Sequence, residues 1–117
     1  IRPEISLPGV DRALADIDAV VDWLGEQADA DKARMLIGGQ SRGGILAVTY
    51  AGTRPKVFLG AVNFVGGWMS DGLAATQEIN RKIFTRAAKA KVNTLWLYAS
   101  ISPYRGKVSV SKMVLYL

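Results

Sequence analysis

A chain of 117 residues, half of them hydrophobic, is long enough for one domain with a real core and too short for two ordinary ones. It holds no cysteine and no histidine, which excludes disulfide scaffolds, thiolate zinc sites and cysteine nucleophiles, and removes the commonest general base at neutral pH. The net charge of +5 is unevenly spread, with two basic and eight acidic side chains in residues 1–31 and thirteen and two in residues 32–117. The basic residues are scattered and carry no zinc-finger, basic-zipper or aromatic RNA-binding signature, so no nucleic-acid partner is expected.

From Asp11 to Gln27 the apolar positions Leu14, Ile17, Val21 and Leu24 recur at spacings of three and four, with Asp16, Asp18, Asp22 and Glu26 between them. This predicts an amphipathic helix, with Pro8 and Gly9 punctuating its entry and an acidic first turn suited to the positive helix end. Met35, Leu36 and Ile37 form a short apolar run without alternation, as expected of a strand covered on both faces. It breaks into GGQSRGG and resumes as a helix over Ile45–Ala51, ended by Gly52 and Pro55. A second buried strand is expected over Val57–Val65, closed by Gly66 and Gly67, then a helix from about Thr76 to Lys91, then a third strand over Val92–Ala99. Strands separated by helices, each apolar throughout, predict a parallel sheet with helices on its faces, a three-layer αβα arrangement. The alternating tail Val108–Leu117 offers a fourth strand.

Gly39-Gln40-Ser41-Arg42-Gly43 fits G-x-S-x-G, and it follows a buried strand and opens a helix. In that context Ser41 is a candidate nucleophile on a sharp, strained turn that lifts its hydroxyl clear of the sheet. Gly39 and Gly43 are then expected because a side chain at either would collide with the neighbouring strand or helix, with Gly38 and Gly44 extending the clearance. Nucleotide-binding alternatives fail on spacing. A dinucleotide fingerprint read from Gly38 meets Gln40 at its third position, and a Walker loop needs Lys and then Ser or Thr where Gly43 is followed by Gly44 and Ile45. The plain alternative, left open, is that Ser41 caps the next helix through its side chain. Gln40 flanks the turn. Asn63, Gly66, Gly67 and Trp68 leave the carboxyl end of the next strand, where α/β sheets bind ligands, and are candidate pocket residues, Trp68 with plain packing as its alternative.

The stretch from about Leu14 to Tyr98 resembles the central part of an α/β-hydrolase, in particular the dienelactone hydrolase-like and prolyl-oligopeptidase-like serine hydrolases. The resemblance is carried by ALADIDAVVDWL, MLIGGQSRGGILAV, LGAVNFVGGW and NTLWLYAS. It implies a partial α/β-hydrolase sheet with a nucleophile elbow, in which Ser41 attacks an ester, lactone or similar acyl carbonyl and the Arg42 backbone N–H holds the oxyanion. It implies a small acyl substrate and no cofactor. The family's catalytic acid is expected just past the third strand, where this chain has Ala99-Ser100-Ile101-Ser102-Pro103-Tyr104, with Ser102 at the carboxylate's place. A serine cannot orient and stabilise an imidazolium. The family's histidine follows the final strand, where this chain runs GKVSVSKMVLYL. The strands ahead of the first helix, and the loop with the second oxyanion donor, have no counterpart.

The 117 residues therefore read as a single, incomplete domain, and three readings remain: part of an active serine hydrolase, a non-catalytic interaction module of the same fold, or an unrelated αβ module with a coincidental turn. Asp71 is the one carboxylate placed to be a displaced acid, and Lys56, Lys89 or Lys91 the bases a Ser-Lys pair would need, all three in segments expected to be exposed. No metal site is expected, since the acidic residues fall on a solvated helix face. No apolar run approaches the roughly 18 to 20 residues that span a bilayer, so no membrane is expected. The absence of a signal-like start makes the cytoplasm the expected location. An exposed sheet edge beside the Ser41 strand is expected to recruit a second copy of the chain.

Overall fold

The computed structural model describes residues 3–68, 72–101 and 108–116. They form α1 (Pro3–Gly25), β1 (Leu36–Gln40), α2 (Arg42–Thr53), β2 (Gly60–Phe64), α3 (Leu73–Ala87), β3 (Asn93–Ile101) and β4 (Val108–Tyr116). The strands lie in one sheet in the order β1-β2-β3-β4. β1 and β2 are parallel, with Leu36 opposite Gly60 and Gln40 opposite Phe64; β2 and β3 are parallel, with Gly60 opposite Asn93 and Phe64 opposite Leu97. β4 returns antiparallel to β3, Thr94 opposite Tyr116, with an irregularity at Tyr98 and Ala99. A three-strand parallel core with helices layered on it is the α/β class expected, in the form of a partial α/β-hydrolase sheet.

Pleating divides the sheet residues between two faces. Ile37, Ala61 and Trp96 face the helices, where Val10 and Leu14 of α1, Ile45, Val48 and Tyr50 of α2, and Ile79 and Ile83 of α3 close the core. Val10, Ile45, Ile79 and Ile83 are fully buried, and burying each contributes about 1.5–3 kcal/mol. The opposite face carries Leu36 and Phe64, 67% and 46% exposed. The sheet and one helix layer are thus formed by the described residues, and none of their helices covers the Leu36 face.

Several boundaries differ from the sequence expectation for identifiable reasons. α1 starts at Pro3 and runs through Pro8; an interior proline removes one amide donor and crowds the carbonyl four residues earlier, a cost opposed by the burial of Val10 and Leu14 farther along the helix. Gly52 does not end α2, which runs to Thr53. A Cβ at Gly52 would run into the Ala87 carbonyl of α3, so this glycine lets two helix backbones touch. β1 begins and ends later than its apolar run, taking in Gly38, Gly39 and Gln40, and β2 starts at Gly60. Main-chain pairing, not apolarity, sets these ends, as where the Leu59 N–H donates to the Met35 carbonyl at 2.9 Å.

Candidate active site

β1 ends at Gln40 and α2 begins at Arg42, leaving Ser41 alone to turn the chain. Its amide donates to the Phe64 carbonyl at 3.0 Å, carrying the parallel ladder one residue past β1, and its own carbonyl already accepts from the Gly44 N–H at 3.0 Å to open α2. Belonging to a strand on one side and a helix on the other forces Ser41 to φ 55 and ψ −123, a left-handed conformation that costs a non-glycine residue roughly 1–3 kcal/mol. Ser41 is exposed, and its side chain makes no capping bond to α2. The capping explanation is thereby excluded: the hydroxyl is not spent on the helix.

The glycines around the turn do not all act alike. A Cβ on Gly39 would be driven into the carbonyl of Gly43 and lie 2.8 Å from the Gly44 nitrogen, so the β1 end and the first turn of α2 meet there backbone to backbone. Gly44 is equally constrained, by the Asn63 side chain and by the Gly39 carbonyl at 2.9 Å. Gly43 is not: a Cβ there would meet nothing within 4 Å. The collision expected at Gly43 belongs to Gly44, one residue on, because the first turn of α2 rotates Gly43 away from the sheet.

Asn63 corrects a second expectation. It does not line a pocket; it is fully buried on the helix face of β2, with Gly44 and Gly66 against its amide oxygen. Its Nδ2 donates to the Tyr98 hydroxyl at 3.2 Å, and that hydroxyl donates to the Gly66 carbonyl at 2.7 Å. Burial pushes the Tyr98 hydroxyl above its ordinary pKa, partly opposed by the bond from Asn63. The Gly67 amide in turn reaches the Ser41 carbonyl at 3.3 Å.

Arg42 occupies the first position of α2, where a backbone N–H has no acceptor within the helix and the dipole is positive. Its exposed guanidinium lies 4.7 Å from the ring centroid of Trp68. Trp68 is buried, and both its backbone groups are held by one side chain: its N–H donates to Asn80 Oδ1 at 2.7 Å and its carbonyl accepts from Asn80 Nδ2 at 2.8 Å. A groove of about 670 Å³ opens beside Gly66 and Gly67 and runs along α3 past Thr76, Asn80, Arg81 and Phe84. Gly66 and Gly67 line this groove, whereas Gln40, exposed at the end of β1, and Ser41 do not reach it. Asn80 and Tyr98 were not singled out from the sequence; an asparagine inside an amphipathic helix and a tyrosine on the helix face of a strand were the only hints.

Lys56, Lys89 and Lys91 are exposed and lie in the segments leading into β2 and β3, at the end of the parallel sheet opposite Ser41. None is placed to take its proton. Asp71 and Ser102 fall outside the described residues. Among the described residues no three acidic, histidine or cysteine side chains gather as a metal site, and no helix is long and apolar enough to cross a membrane.

A parallel sheet with a strained, exposed serine between its edge strand and the following helix defines a protein of the α/β-hydrolase class. The model of the prolyl oligopeptidase family matches residues 9–115, nearly the whole chain, and the chain belongs to that family. It is accordingly of serine-hydrolase type. No curated protein and no solved structure matches it.

Proposed function

We propose that this chain carries the nucleophile and one oxyanion donor of a hydrolase that cleaves an ester, lactone or similar acyl bond in a small substrate. Gly39–Gly43 acts as a nucleophile elbow. Ser41 Oγ attacks the acyl carbonyl as its proton passes to a base, and the negative charge developing on the carbonyl oxygen is met by the Arg42 N–H at the positive end of α2; the acyl bond then breaks, the alcohol or other leaving group departs with that proton, and an acyl-serine remains. Water then releases the acid. The supporting observation is Ser41 itself, held at φ 55 and ψ −123 with an exposed hydroxyl unused by the helix. Strain of that kind persists only where the surroundings enforce it. An imidazole base for this reaction is supplied from outside these 117 residues, which contain no histidine.

The same absence favours a second reading, an inactive member that keeps the fold as an interaction module. One experiment separates the two: treat the chain with a fluorophosphonate in buffer containing imidazole as a supplied base, and locate the adduct by peptide mass spectrometry. A stoichiometric Ser41 adduct, accelerated by imidazole and lost in Ser41→Ala, is expected. Absence of that adduct, or undiminished labelling of the chain in Ser41→Ala, would overturn the proposal.

A further inference from the structure

Asn63 presents a physical problem. It is fully buried, yet its Oδ1 has no hydrogen-bond partner, and an apolar side chain of the same shape would avoid the desolvation of that oxygen. Two glycines make room for it: a Cβ at either Gly44 or Gly66 would be driven into Oδ1. The amide orientation is dictated by the chain of donors. The single Tyr98 hydroxyl hydrogen goes to the Gly66 carbonyl at 2.7 Å, so the hydroxyl oxygen is free to accept from Asn63 Nδ2 at 3.2 Å. Reversing the amide would face two acceptors, Oδ1 and the Tyr98 hydroxyl oxygen, toward each other.

The far end of this chain bears on Ser41. Gly66 lies between Val65, a β-branched residue at φ 48, and Gly67, whose N–H reaches the Ser41 carbonyl at 3.3 Å. Val65 is tied to β3 as well, its N–H donating to the Leu97 carbonyl at 2.7 Å. The β2 exit is thus held in an unfavourable conformation from β3 and braces the turn at the end of β1, while the Asn63 amide fills the space beneath Gly44 in the first turn of α2.

We infer that Asn63 and Tyr98 are positioning residues for the nucleophile: a polar strut, fully buried at Asn63 and half-buried at Tyr98, that runs from β3 to the Ser41 turn and keeps the hydroxyl aligned with the Arg42 N–H. The inference rests on Ser41 being the nucleophile. An apolar pair in their place would pack the core but leave the Gly66 carbonyl, and with it the loop behind Ser41, unanchored.

The test measures kinact and KI for fluorophosphonate labelling of Ser41 in imidazole buffer. It compares wild type, Tyr98→Phe, Asn63→Leu and a control, Val21→Ala, which softens α1 away from the turn. Tyr98→Phe removes one oxygen and Asn63→Leu keeps the volume, so at least one is expected to fold, as monitored by melting temperature. The strut predicts kinact about 10- to 100-fold lower in the folded strut variants, since a displacement on the order of 1 Å costs about that much, with KI unchanged and the control at the wild-type rate. Wild-type kinact in Tyr98→Phe and Asn63→Leu would overturn the strut and leave the nucleophile standing, and an equal loss in Val21→Ala would reduce it to general softening, overturning it too. Failure of wild type to form any Ser41 adduct would remove the nucleophile, and the strut with it.

Discussion

Ser41 and Val65 both sit at positive φ, and together they hold roughly 2–6 kcal/mol of backbone strain that tertiary contacts must offset. Single hydrogen bonds contribute about 0.5–1.5 kcal/mol each, so no one contact suffices; the close approaches at Gly39 and Gly44 have to hold the turn as well. Replacement of these glycines is therefore expected to separate sharply. Gly39→Ala forces a methyl group into the Gly43 carbonyl and should destabilise by about 3 kcal/mol or more. Gly43→Ala, in open space at the start of a helix, should be neutral or stabilise by up to about 1 kcal/mol. Urea denaturation of the two variants checks this, and equal losses would contradict the geometry of the turn. G-x-S-x-G marked the place where β1 turns into α2, because the motif encodes a local turn. It could not rank its own glycines: which of them meets another backbone depends on how far α2 has rotated before it passes β2. Asn63 was misplaced for a related reason, since strand order alone does not say whether a polar residue at the sheet end faces solvent or lies under a helix.

Between elements, the acidic face of α1 does more than meet solvent. Tyr50 of α2, buried in the core, donates its hydroxyl to Asp18 Oδ1 at 2.8 Å, and Arg54 reaches Asp18 Oδ2 at 3.1 Å. Hydrogen bonds from Tyr50 and then Arg54 hold the Asp18 carboxyl below its ordinary 3.8. Burial first, and the Asp18 bond second, push Tyr50 up to about 12 from 10.0. The signs fix two pH windows. Asp18, lowered on folding, stabilises above its unfolded pKa, and that contribution is lost as the pH falls through the folded value. Tyr50, raised on folding, stabilises fully below pH 10.0 and loses that contribution between 10.0 and about 12. Because Asp18 is 39% exposed, the latch is worth only about 1 kcal/mol. Asp18→Asn should lower the melting temperature at pH 7, with the difference from wild type closing in acid. Tyr50→Phe should remove the part of the alkaline decline that lies between pH 10 and 12; identical alkaline profiles would show that the pair does not join α1 to α2. Helix periodicity located α1 and α3, whose core stripes are written in the spacing of Leu14, Ile17 and Val21 or of Ile79 and Ile83. It could not show that Asp18 faces Tyr50, 32 positions away, or that Gly52 is an interhelix contact rather than a stop.

At the scale of the whole molecule, the order β1-β2-β3-β4 leaves β1, the strand that leads into Ser41, as an edge. One side of β1 pairs with β2 from Leu36 to Gln40; the other pairs with no strand among the described residues, and the adjoining sheet face exposes Leu36 and Phe64, flanked by Leu59, which is 59% exposed. An unpaired edge beside a bare apolar face is a template for another strand. β1 is short and carries no charged side chain within Leu36–Gln40, so it lacks the lysine or glutamate that commonly blunts such edges. The chain of 117 residues is therefore expected to associate through β1 in solution, with a weight-average mass by light scattering that rises with concentration. Leu36→Lys, which places a charge on both the edge and the bare face without touching the helix-side core, should shift that rise to higher concentration by about tenfold, equivalent to about 1.4 kcal/mol. The β3–β4 side is the control: a charge introduced at Val110 of β4 should leave the association unchanged if β1 is the contact. A monomer whose mass is independent of dilution, unfolding cooperatively, would mean that β1 is protected from pairing in spite of its exposed Leu36, and association through an edge would have to be abandoned for this protein.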